Sequence, residues 1–345
     1  MYESFFGLTG KPFQLNPDPS FFFGSRGHKR AYAYLEYGLY QSEGFIVITG
    51  EIGAGKTTVV RSLLEQLDAT KVVAAQIVST QLEADDMLRA VGVAFGLPVR
   101  SVDKAMLLAS LEAFLCQLAV EKRRALLVID EAQNLSHRAM EELRMLSNFQ
   151  LGEQALLQSF LIGQPELRTI MRSADMQQLR QRVIASYHLG PLDRSETQGY
   201  IEHRLHHVGW NNDPRFEAGC FDLVHELTGG VPRRINTLCN RVLLSAFLSE
   251  KHVLDASHVQ AIANEIREEL GPDTALSMVP GSGNEGTPTI GGRPSLNAAA
   301  VLQDRLDQID QRIDRLERTV GAAVDLLQRL LHPDKATKPG SPGRS

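Results

Sequence analysis

Eight consecutive residues, Gly50-Glu51-Ile52-Gly53-Ala54-Gly55-Lys56-Thr57, satisfy the pattern G-x-x-x-x-G-K-[ST] in full. Glycines at this spacing let several backbone N–H groups turn inward together, and such a cluster at a helix start attracts an anion. The chemistry expected is the cradling of a nucleoside triphosphate. Gly50 to Thr58 would wrap the phosphates, Lys56 would reach the β- and γ-phosphates, and Thr57 would place its hydroxyl on Mg²⁺. A second signal is the apolar run 125–129, which ends in Asp130 and Glu131. Charge is costly inside a sheet, so both carboxylates are expected at the exposed C-terminal edge, where open α/β sheets bind ligands. Asp130 suits Mg²⁺ through water, and Glu131 suits the base that polarises an attacking water. ATP and Mg²⁺ are the cofactors this pairing predicts.

Three weaker signals extend the site. Gln164 ends the apolar run 160–163 and is placed to hold a water between Glu131 and the γ-phosphate, although a turn residue before Pro165 would look the same. Arg180 and Arg182 precede another apolar run, where an arginine can cross a subunit boundary to stabilise transition-state charge; spacing does not separate the two. Arg233 follows Pro232 at a helix start and is expected to reach back onto the γ-phosphate. His203, His206 and His207 have no carboxylate or cysteine at ligand spacing, so no metal site is expected there.

These residues need a parallel sheet to hold them. Short apolar runs at 45–49, 72–78, 125–129, 159–162 and 185–189 read as strands, and helical patterns at 57–67, before 120 and at 136–149 fall between them. A further helix is expected at 29–41, after an extended, aromatic and proline-punctuated start. Past Pro191 the strand pattern stops, and helices at 195–208, 215–228, 232–249 and 256–269 read as a small all-helical lid. The fold class expected is thus α/β: a five-stranded parallel sheet flanked by helices over 1–192, then the lid over 193–270. Residues 271–297 read as a flexible linker. From Leu302 through Leu306, Ile309, Ile313, Leu316, Val320, Ala323 and Leu327 to Leu330, apolar residues step by four and three, as in a self-associating coiled coil over 298–332; 333–345 reads as a disordered tail.

The chain has 345 residues, 43% of them hydrophobic and 22% charged, which suits a globular protein with a sizeable core. Its net charge of -5 argues against a general pull toward nucleic acid. Three widely spaced cysteines (Cys116, Cys220 and Cys239) read as buried free thiols of a reducing compartment. The acidic start carries no secretory signal, and no stretch is apolar enough to span a bilayer, so a cytoplasmic protein without its own membrane span is expected.

With these residues in place, 1–270 resembles the AAA+ ATPases, and within them the branch of the general secretion protein A (ExeA-like) and transposition helper ATPases. The resemblance is carried by Phe5-Phe6-Gly7-Leu8, Pro12-Phe13, Asn16-Pro17-Asp18-Pro19, Leu35 with Tyr37-Gly38-Leu39, Asp130-Glu131-Ala132-Gln133-Asn134-Leu135 and Gly163-Gln164-Pro165-Glu166-Leu167. It implies that 130–135 is the Walker B segment, that 163–167 is sensor 1, that Arg233 is sensor 2, and that 21–28 lies by the adenine. The chain looks most like the ATPase that accompanies exosortase/PEP-CTERM sorting and exopolysaccharide loci. Secretion protein A continues into a membrane span and a peptidoglycan-binding region, where this sequence has the linker and the coiled-coil stripe. The resemblance therefore implies self-association in a ring or through the coiled coil, and inner-membrane secretion or polysaccharide-export partners approached from the cytoplasm. An ATP-dependent DNA-coating helper of the transposition type and a slow ATP switch or scaffold are the competing readings.

Overall fold

The structure is a computed structural model that describes residues 1–16, 18–78, 82–100 and 102–270. The linker, coiled-coil and tail expectations for 271–345 lie outside the described residues.

Alternation along each apolar run divides the side chains between two faces of one sheet. Strands β1 (Phe45–Gly50), β2 (Val72–Val78), β3 (Arg124–Asp130), β4 (Leu157–Gly163) and β5 (Val183–Leu189) are all parallel, in the order β2-β3-β4-β1-β5. On one face Ile46, Ile48, Leu126, Val128, Phe160 and Ile162 pack against Ala31 and Leu35 of helix α1 (Arg26–Gln41) and Val59, Val60 and Leu63 of α2 (Lys56–Gln66). On the other, Phe45, Val47, Leu127, Ile129 and Leu161 meet Met87 and Leu88 of α3 (Ala84–Ala94), Leu107 and Leu111 of α4 (Lys104–Val120) and Leu143 of α5 (His137–Leu146). Each of the larger side chains so buried contributes about 1.5–3 kcal/mol. The five expected strands are all present; the fourth and fifth begin two residues earlier than the apolar runs suggest.

Because β4 lies between β1 and β3, the loop after β1, the end of β3 and the start of helix α6 (Pro165–Arg172) after β4 meet at the same sheet edge. That adjacency is what builds the site.

Helices α7 (Arg194–His207), α8 (Cys220–Thr228), α9 (Pro232–Leu248) and α10 (Ala256–Leu270) follow the sheet. The helix expected from 215 starts only at Cys220, because Arg215–Phe216 pairs in parallel with Val253–Leu254 instead. The helix expected through 149 ends at Leu146, where the chain turns into a short antiparallel pair, Gln150–Leu151 with Gln154–Ala155. The start of the chain is not simply extended. Tyr2–Phe5 is a helical turn, and Tyr2, Phe6, Leu8, Phe13 and Phe21 complete the core of the helical unit with Ile201, Leu205, Leu238 and Val242. Four helices alone would leave that aromatic-filled space open.

Cys220 and Cys239 are buried free thiols, whereas Cys116 is only half-buried. Among the described residues no helix is long and apolar enough to cross a membrane.

Candidate functional site

The loop between β1 and α2 bends at Gly53 (φ +81°) and Gly55 (φ +97°), a backbone region that side chains other than glycine's rarely adopt. Lys56 follows at the helix start. Its buried ammonium donates to the carbonyl oxygens of Gly50 at 2.8 Å and Glu51 at 3.0 Å. Burial pushes its pKa down, and the carboxylates of Glu131, Asp130, Glu51 and Glu166 oppose that shift.

Thr57 Oγ1 donates to Asp130 Oδ2 at 2.8 Å, so the two residues expected to serve Mg²⁺ already touch. The other oxygen, Oδ1, accepts the Glu131 N–H at 3.0 Å. Asp130 is buried, not exposed at the sheet edge as expected; partners on both oxygens make that tolerable. A hydroxyl and a carboxylate, both oxygen donors, fit the needs of a hard cation.

Glu131 has φ +55°, a left-handed conformation that costs a non-glycine residue about 1–2 kcal/mol. Its Oε2 accepts from Gln133 Nε2 at 2.6 Å and from Gln164 Nε2 at 3.0 Å. Gln133 also turns its Oε1 to the backbone N–H of Gln164, at 3.0 Å. Burial of Glu131 works against its ionisation, but the two amide donors and the charge of Lys56 prevail and hold the carboxyl below the usual carboxylate range. The result is an anionic side chain fixed by two amides, beside a loop built for anions.

A cavity of about 200 Å³ lies over the loop, lined by Gly53, Gly55, Lys56, Thr57, Thr58 and Glu131 from the sheet side. Phe21, Phe22, Phe23 and His28 close it, in the segment expected by the base, and Tyr200, Arg204 and Arg233 face it from the helical unit. The backbone N–H of Arg233 donates to the Gly53 carbonyl at 3.1 Å, while its side chain is exposed at the cavity. Residues 50–58, 130, 131, 164 and 233 are therefore gathered at one place.

Arg180 and Arg182 are not gathered there. Arg180 donates to the carbonyls of Met171 at 2.9 Å and Ser173 at 3.1 Å, and Arg182 to that of Ser147 at 2.9 Å. The Arg182 carbonyl accepts the N–H of Phe45, at the end of β1 opposite Gly50.

Two contributors are not marked by the sequence patterns. Gln133 lies inside the motif 130–135 with no role assigned to it; its place two residues beyond a strand-end carboxylate is the available signal. Arg204 is buried and donates to the carbonyl of Gln14 at 3.3 Å and the Tyr200 hydroxyl at 3.0 Å, with its guanidinium 4.6 Å from the Phe21 ring centre. It also bonds the Pro12 carbonyl at 2.5 Å. Among three neighbouring histidines, nothing in the sequence distinguishes it.

Residues 39–171 match the family described as AAA domain. The chain carries an AAA-type ATPase domain. The AAA fold extends beyond that match: the chain is similar to Cdc6p from Pyrobaculum aerophilum (15% identical, TM-score 0.57, covering 76% of this chain and 71% of that one). It is also similar to the Aeropyrum pernix ORC2 protein in its ADP form (18% identical, TM-score 0.54, covering 71% of this chain and 68% of that one). Over 268 residues it is 40% identical to the general secretion pathway protein A of Aeromonas hydrophila, a match covering 77% of this chain and 48% of that protein. The chain thus spans about half the length of that curated relative. A nucleotide site is what an AAA fold implies, and the gathered residues fit one.

Proposed function

We propose that this chain binds ATP with Mg²⁺ and hydrolyses it as an oligomer, in the service of a membrane-associated protein-sorting, secretion or exopolysaccharide-export system. The observation that carries this reading is the Thr57–Asp130 hydrogen bond beside an ionised, doubly clamped Glu131. Backbone N–H groups of 50–55 would bind the phosphates, and Lys56, leaving its two loop carbonyls, would reach the β- and γ-phosphates. Thr57 and Asp130 would hold Mg²⁺, which supplies charge neutralisation on the phosphate oxygens when bound. Glu131 would orient and polarise the attacking water, with Gln164 beside it. Arg233, whose backbone is already bonded to the loop, would sense the γ-phosphate from the lid.

Arg180 or Arg182 would act on a neighbouring subunit's site. Neither reaches its own cavity, each being bonded to backbone carbonyls elsewhere, and the assignment in trans rests on their place just before β5. The 40% identity to a general secretion pathway protein A supports the secretion context. The exosortase/PEP-CTERM assignment, with a cytoplasmic protein peripheral to the inner membrane and self-associating through 302–330, rests on the sequence resemblance described above.

The test is ATP turnover per subunit, with Mg²⁺, across a protein concentration series, for wild type, Arg180→Ala and Arg182→Ala. Specific activity that climbs with concentration and collapses in one arginine variant is the expected result. Flat, near-zero turnover with tight ATP binding would overturn hydrolysis and favour a slow switch.

A further inference from the structure

His28, on the first turn of α1, is 6% exposed and uses both ring nitrogens. Nε2 lies 3.0 Å from the carbonyl oxygen of Ala54, inside the phosphate loop. A carbonyl only accepts, so Nε2 carries the proton. Nδ1 lies 2.6 Å from Ser25 Oγ and must accept the hydroxyl proton. The same Ser25 oxygen caps α1 by accepting the His28 N–H at 3.2 Å. One neutral tautomer satisfies every contact, and the Ala54 carbonyl, which can only accept, selects it. Burial disfavours the charged imidazolium and pushes the pKa down, against the pull of the Ala54 carbonyl and the Glu196 charge.

The ring also sets the outline of the loop. At Gly55 a Cβ atom would lie 2.5 Å from His28 Nε2, closer than any side chain can approach, so loop and ring are in contact without a gap.

We propose that His28 is a positioning residue for phosphate binding: it ties down the Ala54 carbonyl, so that the loop offers N–H groups and not an oxygen to the incoming anion. The proposal rests on the reading that this loop binds the ATP phosphates. A phosphate cradle works by converging N–H dipoles, and one untethered carbonyl turning inward would set like partial charges against each other. Ser25, His28 and Ala54 form a short relay that stiffens the loop from a helix already packed on the sheet.

The experiment uses the full chain and two probes, ATP and inorganic tripolyphosphate, with affinities from calorimetry and folding from circular dichroism and thermal melts. His28→Ala removes the donor; His28→Gln restores an amide N–H at the reach of Nε2. We expect His28→Ala to weaken both probes about tenfold, the equivalent of one hydrogen bond, and His28→Gln to stay within about threefold of wild type. A merely structural role predicts that both variants lose melting temperature while the folded protein binds as wild type. Unchanged affinity in His28→Ala overturns the proposal. If His28→Ala does not fold, Ser25→Ala decides the matter, since it leaves the ring but removes the hydroxyl that holds Nδ1 and so loosens the ring's orientation: about threefold weaker tripolyphosphate binding supports the relay, and unchanged binding overturns it. Wild type that binds ATP without turning it over overturns hydrolysis alone, and the affinities still decide the role of His28. Wild type that binds neither probe overturns both.

Discussion

The backbone N–H of Arg233 donates to the carbonyl oxygen of Gly53, 3.1 Å away, and so joins the first turn of α9 to the middle of the phosphate loop. The approach is close enough that a Cβ on Gly53 would lie 2.2 Å from the Cβ of Arg233. Loop and helical unit cannot shift independently without breaking this contact.

Gly53→Ala should therefore cost more than the about 1–2 kcal/mol of a left-handed alanine, because the helix must also retreat. Urea unfolding should show a loss of at least ~2 kcal/mol, and ATP affinity should fall with it. A variant that unfolds and binds as wild type would show the contact to be dispensable.

Glu131→Gln keeps the shape of the site and removes the charge that would polarise water. Turnover should drop at least ~100-fold while ATP affinity stays within a few-fold of wild type. Chelating Mg²⁺ should abolish the residual rate. Equal losses in binding and turnover would contradict a role for Glu131 in the chemical step.

Gln133→Leu strips one of two donors from Glu131 Oε2 and leaves the Gln164 N–H without its side-chain acceptor. An unsatisfied buried group of this kind costs about 1–3 kcal/mol. We expect reduced stability, and a turnover number that falls by about tenfold with affinity unchanged. Binding assays beside single-turnover kinetics separate the two effects.

Arg204→Met preserves bulk but loses donors to Pro12, Gln14 and Tyr200. Those bonds fasten the chain's start to α7, so unfolding should become easier by about 3 kcal/mol or more. Limited proteolysis should cut the first 20 residues faster than in wild type. Resistance equal to wild type would mean that the aromatic core alone holds the segment.

Acid should destabilise the fold through four histidines, of which His28 is buried, His203 and His225 are half-buried and His188 is exposed. His28, His188, His203 and His225 all have lowered pKa values, chiefly from burial, with nearby cations (Arg168, His207 and Arg194) adding to the shift at the last three. The unfolded chain then binds protons at a higher pH than the folded one. Stability is complete above the ordinary imidazole value of about 6.5 and declines as pH falls below it. Denaturation midpoints at pH 7.5, 6.5 and 5.5 should decrease in that order, and His28→Gln should make the decline shallower. A flat profile would mean that these imidazoles titrate alike in both states.

The sheet and the phosphate loop are legible in the sequence because both are written in short-range patterns. Alternating apolar residues in 45–49 or 125–129 have nowhere to go but two faces of a strand, and Gly53, Gly55 and Lys56 act within a few residues of one another. The ends of elements are less legible. Arg215–Phe216 has a helical pattern, but its pairing with Val253–Leu254, a partner far along the chain, draws it into a strand.

Only the tertiary structure decided what crosses long distances. The order β2-β3-β4-β1-β5 brings Gln164 to Glu131, and the fold lays Tyr2, Phe6, Leu8, Phe13 and Phe21 in the core of helices that begin beyond residue 190. Gln133, Arg204 and His28 took their roles there too, since a buried amide, guanidinium or imidazole is defined by partners its neighbours in sequence do not supply. The sequence by itself determined which residues could bind phosphate; the packing of α1 and α9 against the loop determined how that loop is held.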